Sequence, residues 1–437
     1  MRGRLCFLAA ALAALSIFAA DPPPAPAARV ITLDQAYDIA LATDQSIRIA
    51  YLQIRQANLL PWSALATNLG PQLAATGGYD RKQTHGSGVI VTGEGSSVGA
   101  SYTQPFVNFA VFPAYRNGKL AAVAARLQHQ YTIRQTLFGV TSAYYQVLTQ
   151  EGIVAVDKET VELAAQQLDV AQKRMDVGEV TRTDALNAQV TLESARVALI
   201  QDQNMLLMNR DTLGNILNLG GDSGFQVVLP PDYPMSIPAF EKLLAIAYRS
   251  REDLAVGNIA IGQDVAKKGE VIAAYAPQIA GEVSDGYTNA NGFYGPQKQV
   301  WDANVSVSMP FFTNGQREID LITAGEQVGI DRLKRDEIAK TVEGDVRQAW
   351  LNARSLKESL AALRVQVDAA RESYQDEVHQ YQAGTAASVD VLVALTALNT
   401  SENSLAKQVY AFQVALRDLE QAAGVFQEQR VLREKVK

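Results

Sequence analysis

Three histidines, His85, His129 and His379, and a single cysteine, Cys6, are the whole stock of imidazole and thiol chemistry in the 437 residues. No histidine has a second ligand at metal-binding spacing, and no nucleophile motif is present, so neither an enzyme site nor a cofactor or metal is expected. Gly86-x-Gly88 lacks the third glycine and the helix start that a dinucleotide loop needs. Two carboxylates in matched surroundings stand out instead. Asp184 lies in MDVGEVTRTDAL and Asp390 in YQAGTAASVDVL, each shortly after a glycine, Gly178 or Gly384. Glycine supplies the left-handed backbone where a helix stops and reverses. A carboxylate just beyond it suits the start of the returning helix, where it complements the macrodipole by ~0.3–1 kcal/mol.

The elements that must hold these two turns are written twice. At an offset of 206, Gly178 falls on Gly384, Asp184 on Asp390 and Leu186 on Leu392, while Pro71-Gln72 falls on Pro277-Gln278. One offset held over such distances marks an internal duplication. Each copy predicts helix, strand, loop, strand, long helix, turn, long helix. Alternation carries the strands: Trp301, Ala303, Val305, Val307 and Met309 face one way, and Asp302, Asn304, Ser306 and Ser308 the other. Val98, Ala100 and Tyr102, then Leu73, Ala75 and Tyr79, then Ile279 and Val283 give the other three. RKQTHGSGVIVTGEGS and TNANGFYGPQK between them read as long loops. The helices are carried by proline-free length and by heptads. Leu192, Leu199, Leu206 and Leu213 repeat every seven residues, as do Leu398, Leu405, Phe412 and Leu419. A helix from about Ala114 to Met175 would run roughly 90 Å at ~1.5 Å per residue.

Arg2 and Arg4, an apolar run from Leu5 to Ala20 and then DPPPAPAA predict a signal peptide over residues 1–28, cut near Ala19–Ala20 or near Ala27–Ala28. Residues 29–229 then form a first structural repeat and residues 230–437 a second, joined through the proline-rich LPPDYPMSIP. Cys6 falls inside the signal, which leaves no disulfide or thiolate site. The net charge of −7 gives no cation excess for nucleic acid. No later apolar stretch is long enough for a membrane helix, so membrane entry would have to be as a closed barrel. Four strands of about ten residues suit the ~9–11 residues of a bilayer-crossing strand. Four are too few to close, since the smallest such barrels use about eight. The edges must then be covered by copies of the same chain. A secreted or periplasmic coiled-coil scaffold or adhesin is the alternative, and the alternating strands discriminate against it.

RMDVGEVTRTDALNAQVTLESARVALIQDQN, YQAGTAASVDVLVALTALNTSENSLAKQ, SYTQPFVNF and SVSMPFFTNGQ resemble segments of the TolC-like outer-membrane efflux and secretion ducts. The resemblance covers nearly the whole chain after the signal, duplication included. It implies a mainly α fold with β: long antiparallel helical hairpins plus four membrane strands, in a homotrimer whose 12-stranded barrel continues into an α-helical barrel. It further implies the outer membrane of a Gram-negative bacterium, with the helical barrel in the periplasm. The function implied is a passive exit duct of a tripartite efflux or type I secretion system. Its partners would be outer-membrane lipid, a periplasmic adaptor (membrane fusion protein) and an inner-membrane transporter. By the same resemblance Val177, Gly178 and Glu179 with Ala383, Gly384 and Thr385 form the adaptor-docking tips. Asp390 matches a constriction aspartate, with Asp184 its counterpart in the first copy, and Tyr381 and Thr183 match positions linking neighbouring hairpins. A member of that family has a second aspartate where this chain has Val393 and a locking arginine where it has Ala386, which points to a weaker polar latch or one partly replaced by an apolar constriction.

Overall fold

A computed structural model describes residues 30–86, 89–220, 224–231, 236–289 and 297–433; the signal-peptide segment, residues 1–28, lies outside them. The first copy opens with β1 (Val30–Ile31), α1 (Leu33–Thr43), α2 (Gln45–Ala57) and α3 (Leu60–Leu69). The single helix expected here is thus in three pieces. Asp44 caps α2 by accepting from Ser46 N at 2.8 Å and Ile47 N at 3.1 Å. Pro61 in the first turn of α3 has no N–H to continue α2. Two strands follow, β2 (Gln72–Gly86) and β3 (Val89–Val107), then α4 (Val111–Asp176), α5 (Arg182–Ile216) and β4 (Gln226–Val227). The second copy runs α6 (Phe240–Ser250), α7 (Glu252–Ala273), β5 (Gln278–Asn289), β6 (Gln297–Ser308), α8 (Gln316–Gln382) and α9 (Ser388–Ala422), and α10 (Glu428–Arg433) ends the chain.

The strands β2-β3-β5-β6 form one antiparallel sheet in that order. The loop reading of residues 81–96 is corrected: β2 and β3 stay paired as far as Gly86 and Val89, so this hairpin is 15 and 19 residues long. Ladder hydrogen bonds hold Gly- and Ser-rich sequence extended when a partner strand is in register. In the second hairpin Thr288, Asn289, Gln297 and Lys298 are also strand, and residues 290–296 lie outside the described set. The registers put Ala303, Val283, Tyr102 and Leu73 in one row and Trp301, Asp285, Ala100 and Ala75 in a neighbouring one, all on one face. That face therefore carries the alternating apolar residues of all four strands. Toward the turn end it becomes polar, where Asp285 accepts from Gln299 at 3.0 Å and Arg81 pairs with Glu94 at 3.6 Å. At the opposite end exposed Phe106, Phe109, Phe311 and Phe312 cluster in sequence where strands pass into helices. The other face holds Ser101, Thr103, Glu282, Ser284, Asp302 and Asn304.

Two helical hairpins hang from the sheet, α4 on α5 and α8 on α9. At 66 residues α4 spans about 100 Å at ~1.5 Å per residue. Leu192, Leu213, Leu398, Phe412 and Leu419 of the two heptad series are buried, and Leu199, Leu206 and Leu405 are half-buried. No helix among the described residues is long and apolar enough to cross a membrane. α3 lies so close to α4 that a Cβ on Gly118 would sit 2.7 Å from Pro61 N.

The main core gathers Ile31, Tyr37, Leu137, Tyr144, Leu213, Phe225 and Phe426. β1 and β4 pair in parallel there, an element without alternation long enough to be legible. Tyr144 Oη accepts from Val228 N at 2.9 Å and lies 3.0 Å from Ile31 O, tying both short strands to α4. Phe426, beyond α9, packs edge-on against Tyr37 and Phe138 at 6.4 and 6.0 Å. Arg430 on α10 pairs with Asp34 at 2.7 Å and with Asp38. The end of the second copy is thereby built into the core of the first.

Candidate functional site at the hairpin tips

The first tip follows from how α4 ends. Gly178 takes φ +79°, its N–H donates to Met175 O at 2.9 Å, and Glu179 N donates to Arg174 O at 2.9 Å. These two bonds make a Schellman closure, which satisfies carbonyls the last turn leaves open. The second tip repeats it: Gly384 at φ +79° donates to Tyr381 O at 3.0 Å, and Thr385 N to Gln380 O at 2.9 Å. Val177, Gly178, Glu179, Ala383, Gly384 and Thr385 are all exposed.

The two aspartates begin the returning helices, but they are not equally engaged. Asp184 Oδ2 accepts from Thr181 N at 2.9 Å and from Thr181 Oγ1 at 2.7 Å, and Asp184 N donates back to Thr181 Oγ1 at 3.3 Å. This is a full reciprocal cap. Asp390 Oδ2 accepts only from Ala387 N at 3.1 Å, because alanine has no side-chain oxygen to return the bond. Asp184 is half-buried and Asp390 exposed. The second carboxylate is therefore the freer one.

Around Asp390 the surface is apolar. Val389 and Val393 are 51% and 64% exposed, and with Val190, Leu392 and Thr396 they line a groove of about 630 Å³ between α5 and α9. Thr183 is exposed, and Ala386 is packed beside the Leu192–Tyr374–Leu395 cluster. Tyr381 is buried, with its hydroxyl unpartnered. Its ring and carbonyl are engaged by Arg174, a residue that the sequence reading passed over. The only trace in sequence is the basic pair Lys173-Arg174 in the last turn before the glycine, which favours the negative end of α4.

Away from the tips α4, α5 and α9 meet at a second acidic group. Asn403 Nδ2 donates to Asp157 Oδ1 at 3.1 Å, and Gln150 Nε2 donates to Asp202 Oδ1 at 2.7 Å. Burial holds the Asp157 carboxyl above the usual carboxylate range; Asn403 opposes the shift and Asp202 adds to it. Among the described residues no cluster of histidine, cysteine and carboxylate is arranged to hold a metal ion.

Residues 36–219 and 243–425 match a family model described as "Outer membrane efflux protein". Among curated relatives, the outer membrane efflux protein BepC of Brucella suis is 24% identical over 305 residues, which are 67% of this chain and 63% of that protein. The chain thus spans less than two thirds of that relative. The alkaline protease secretion protein AprF of Pseudomonas aeruginosa is 23% identical over 418 residues, 90% of this chain and 84% of that one. Among solved structures, the outer membrane protein VceC of Vibrio cholerae superposes with a TM-score of 0.72 at 16% identity, covering 90% of this chain and 96% of its own.

Proposed function

The chain belongs to the outer membrane efflux protein family, and from that premise we propose that three copies assemble into one duct closed at the tips and opened by a docked adaptor. It is an outer-membrane protein of the Gram-negative type and serves as an exit channel for efflux or secretion. One observation carries this assembly. The four-stranded sheet carries an apolar band across one face of all four strands, yet among the described residues β2 pairs only with β3 and β6 only with β5. An open edge cannot stand in hydrocarbon, because each unpaired N–H and C=O there costs several kcal/mol. Joining β6 of one copy to β2 of the next removes every edge, and three copies give a barrel within the known size range. The apolar face then meets lipid, and the face with Glu282, Asp302 and Asn304 lines a wet passage.

The native sequence has one cysteine, Cys6, so introduced thiols report cleanly. Ala74→Cys on β2 combined with Asn304→Cys or Ser306→Cys on β6 is expected to give an oxidised ladder in outer-membrane fractions that ends at three chains. A ladder that stops at two chains, or its absence from every pair tried along these strands, overturns the assembly.

In such a trimer Asp390 places three carboxylates around one axis at the periplasmic mouth, and exposed Val389 and Val393 form an apolar collar beside them. A ring of carboxylates favours cations. Asp390→Ala is expected to lower cation preference in planar-bilayer recordings. Unchanged conductance and selectivity in Asp390→Ala sinks this role. The exposed turns Val177–Glu179 and Ala383–Thr385 are the surface offered to the periplasmic adaptor, which in turn couples the duct to an inner-membrane transporter.

A further inference from the structure

One side chain joins the two tips of a single chain. Arg174, in the last turn of α4, reaches across to the last turn of α8. Its Nη1 donates to Tyr381 O, and its guanidinium carbon stands 4.8 Å from the centroid of the Tyr381 ring. Its Nε donates to Glu179 Oε2 at 2.9 Å, which fixes the plane of the fork. The Arg174 side chain is only 21% exposed although both turns around it are open to solvent.

Electrostatics explains why a cation settles here. α4 and α8 both end at this point, so the guanidinium lies beside two negative helix poles and satisfies a last-turn carbonyl. The face of Tyr381 adds a cation–π contact. Asp176, Glu179, Asp184 and Asp390 belong to the tip segments beside Lys173 and Arg182, and Arg174 is the cation whose hydrogen bonds reach both ends. Lys173 does not substitute, since its ammonium pairs outward with Asp169 at 2.6 Å.

We propose that Arg174 is the strap that sets how far the two hairpin tips of a protomer separate, and so the resting width of the mouth they surround. The second half of this statement rests on the reading of the tips as the duct's periplasmic mouth. Glu179 lies in the surface offered to the adaptor and orients the strap, so contact at the first tip is transmitted to the second through one arginine.

Two readouts on the purified full-length protein test this. The first is the distance between spin labels on Val177→Cys and Ala383→Cys; the second is open-state occupancy in planar bilayers. Arg174→Ala is expected to lengthen and broaden the label distance and to raise open occupancy roughly tenfold. Arg174→Lys should recover part of both, because an ammonium keeps the charge without the planar fork. Lys173→Ala, which removes a charge from the same turn, should match the wild type. A wild-type label distance in Arg174→Ala with native circular dichroism overturns the strap, as does an equal effect in Lys173→Ala. Longer label distances without any wild-type conductance leave the strap standing and refute the mouth instead.

Discussion

Glu252→Ala is expected to destabilise the protein by about 3–5 kcal/mol, the cost of leaving a buried charge without its partner. Glu252 Oε1 accepts from Arg134 Nη2 at 2.6 Å and from Arg134 Nε at 3.3 Å. The two side chains are only 6% and 7% exposed, so a charge left alone there is poorly hydrated. Arg134 Nη1 also donates to Phe426 O at 2.6 Å, so the same guanidinium holds the C-terminal segment on the core. Glu252 stands in the first turn of α7, where the helix pole favours a carboxylate as well. The pair thus joins α4 of the first copy to α7 and the chain end of the second.

The double variant Arg134→Met/Glu252→Leu separates the worth of the pair from the cost of breaking it. Removing both charges removes both desolvation penalties, and this variant should recover most of the lost stability. Denaturant midpoints of the detergent-purified protein would measure both. A loss below about 1 kcal/mol in Glu252→Ala would show that water reaches the Arg134 guanidinium once its partner is gone.

Val283→Arg is the second large effect expected, at about 2–4 kcal/mol per chain where the site lies near the bilayer midplane. Val283 is in the middle of β5, in the row with Ala303, Tyr102 and Leu73, and it is 52% exposed in the isolated chain. In the proposed barrel that exposure is to lipid, and a guanidinium there must reach an interface or stay in hydrocarbon. Ser284→Arg is one residue away on the face that carries Glu282 and Asp302, where a charge is solvated by the passage. Heat-modifiable migration after insertion into vesicles should fall sharply for Val283→Arg and little for Ser284→Arg. Equal losses would mean that the sheet does not present one face to lipid.

These sites differ in how far they could be read from sequence. The apolar band on the sheet was legible because a period of two survives wherever the two faces of a strand meet different surroundings, as Trp301 to Met309 show. The tips were legible too, since helix reversal demands a left-handed residue and Gly178 and Gly384 supply it at matched positions. The extension of β2 and β3 to Gly86 and Val89 was not, because composition there favours loops and only strand pairing overrides it. The break between α2 and α3 had a sign in Pro61, but its purpose, the close approach to Gly118, needed the fold.

Both contributions meet at the hairpin tips. Local rules alone determined which residues turn and which carboxylates cap, because propensity, capping and periodicity act within a few residues along the chain. Tertiary structure alone decided what those residues touch. Arg174 meets Tyr381 207 positions away, and Arg134 meets Phe426 292 positions away. The 206-residue repeat aligns the two copies but does not say which of their side chains meet. Capping rules gave Asp184 and Asp390 the same helix-start role, and the fold separated how each is engaged: Thr181 returns a hydrogen bond to the first, and Ala387 has no oxygen to return one to the second.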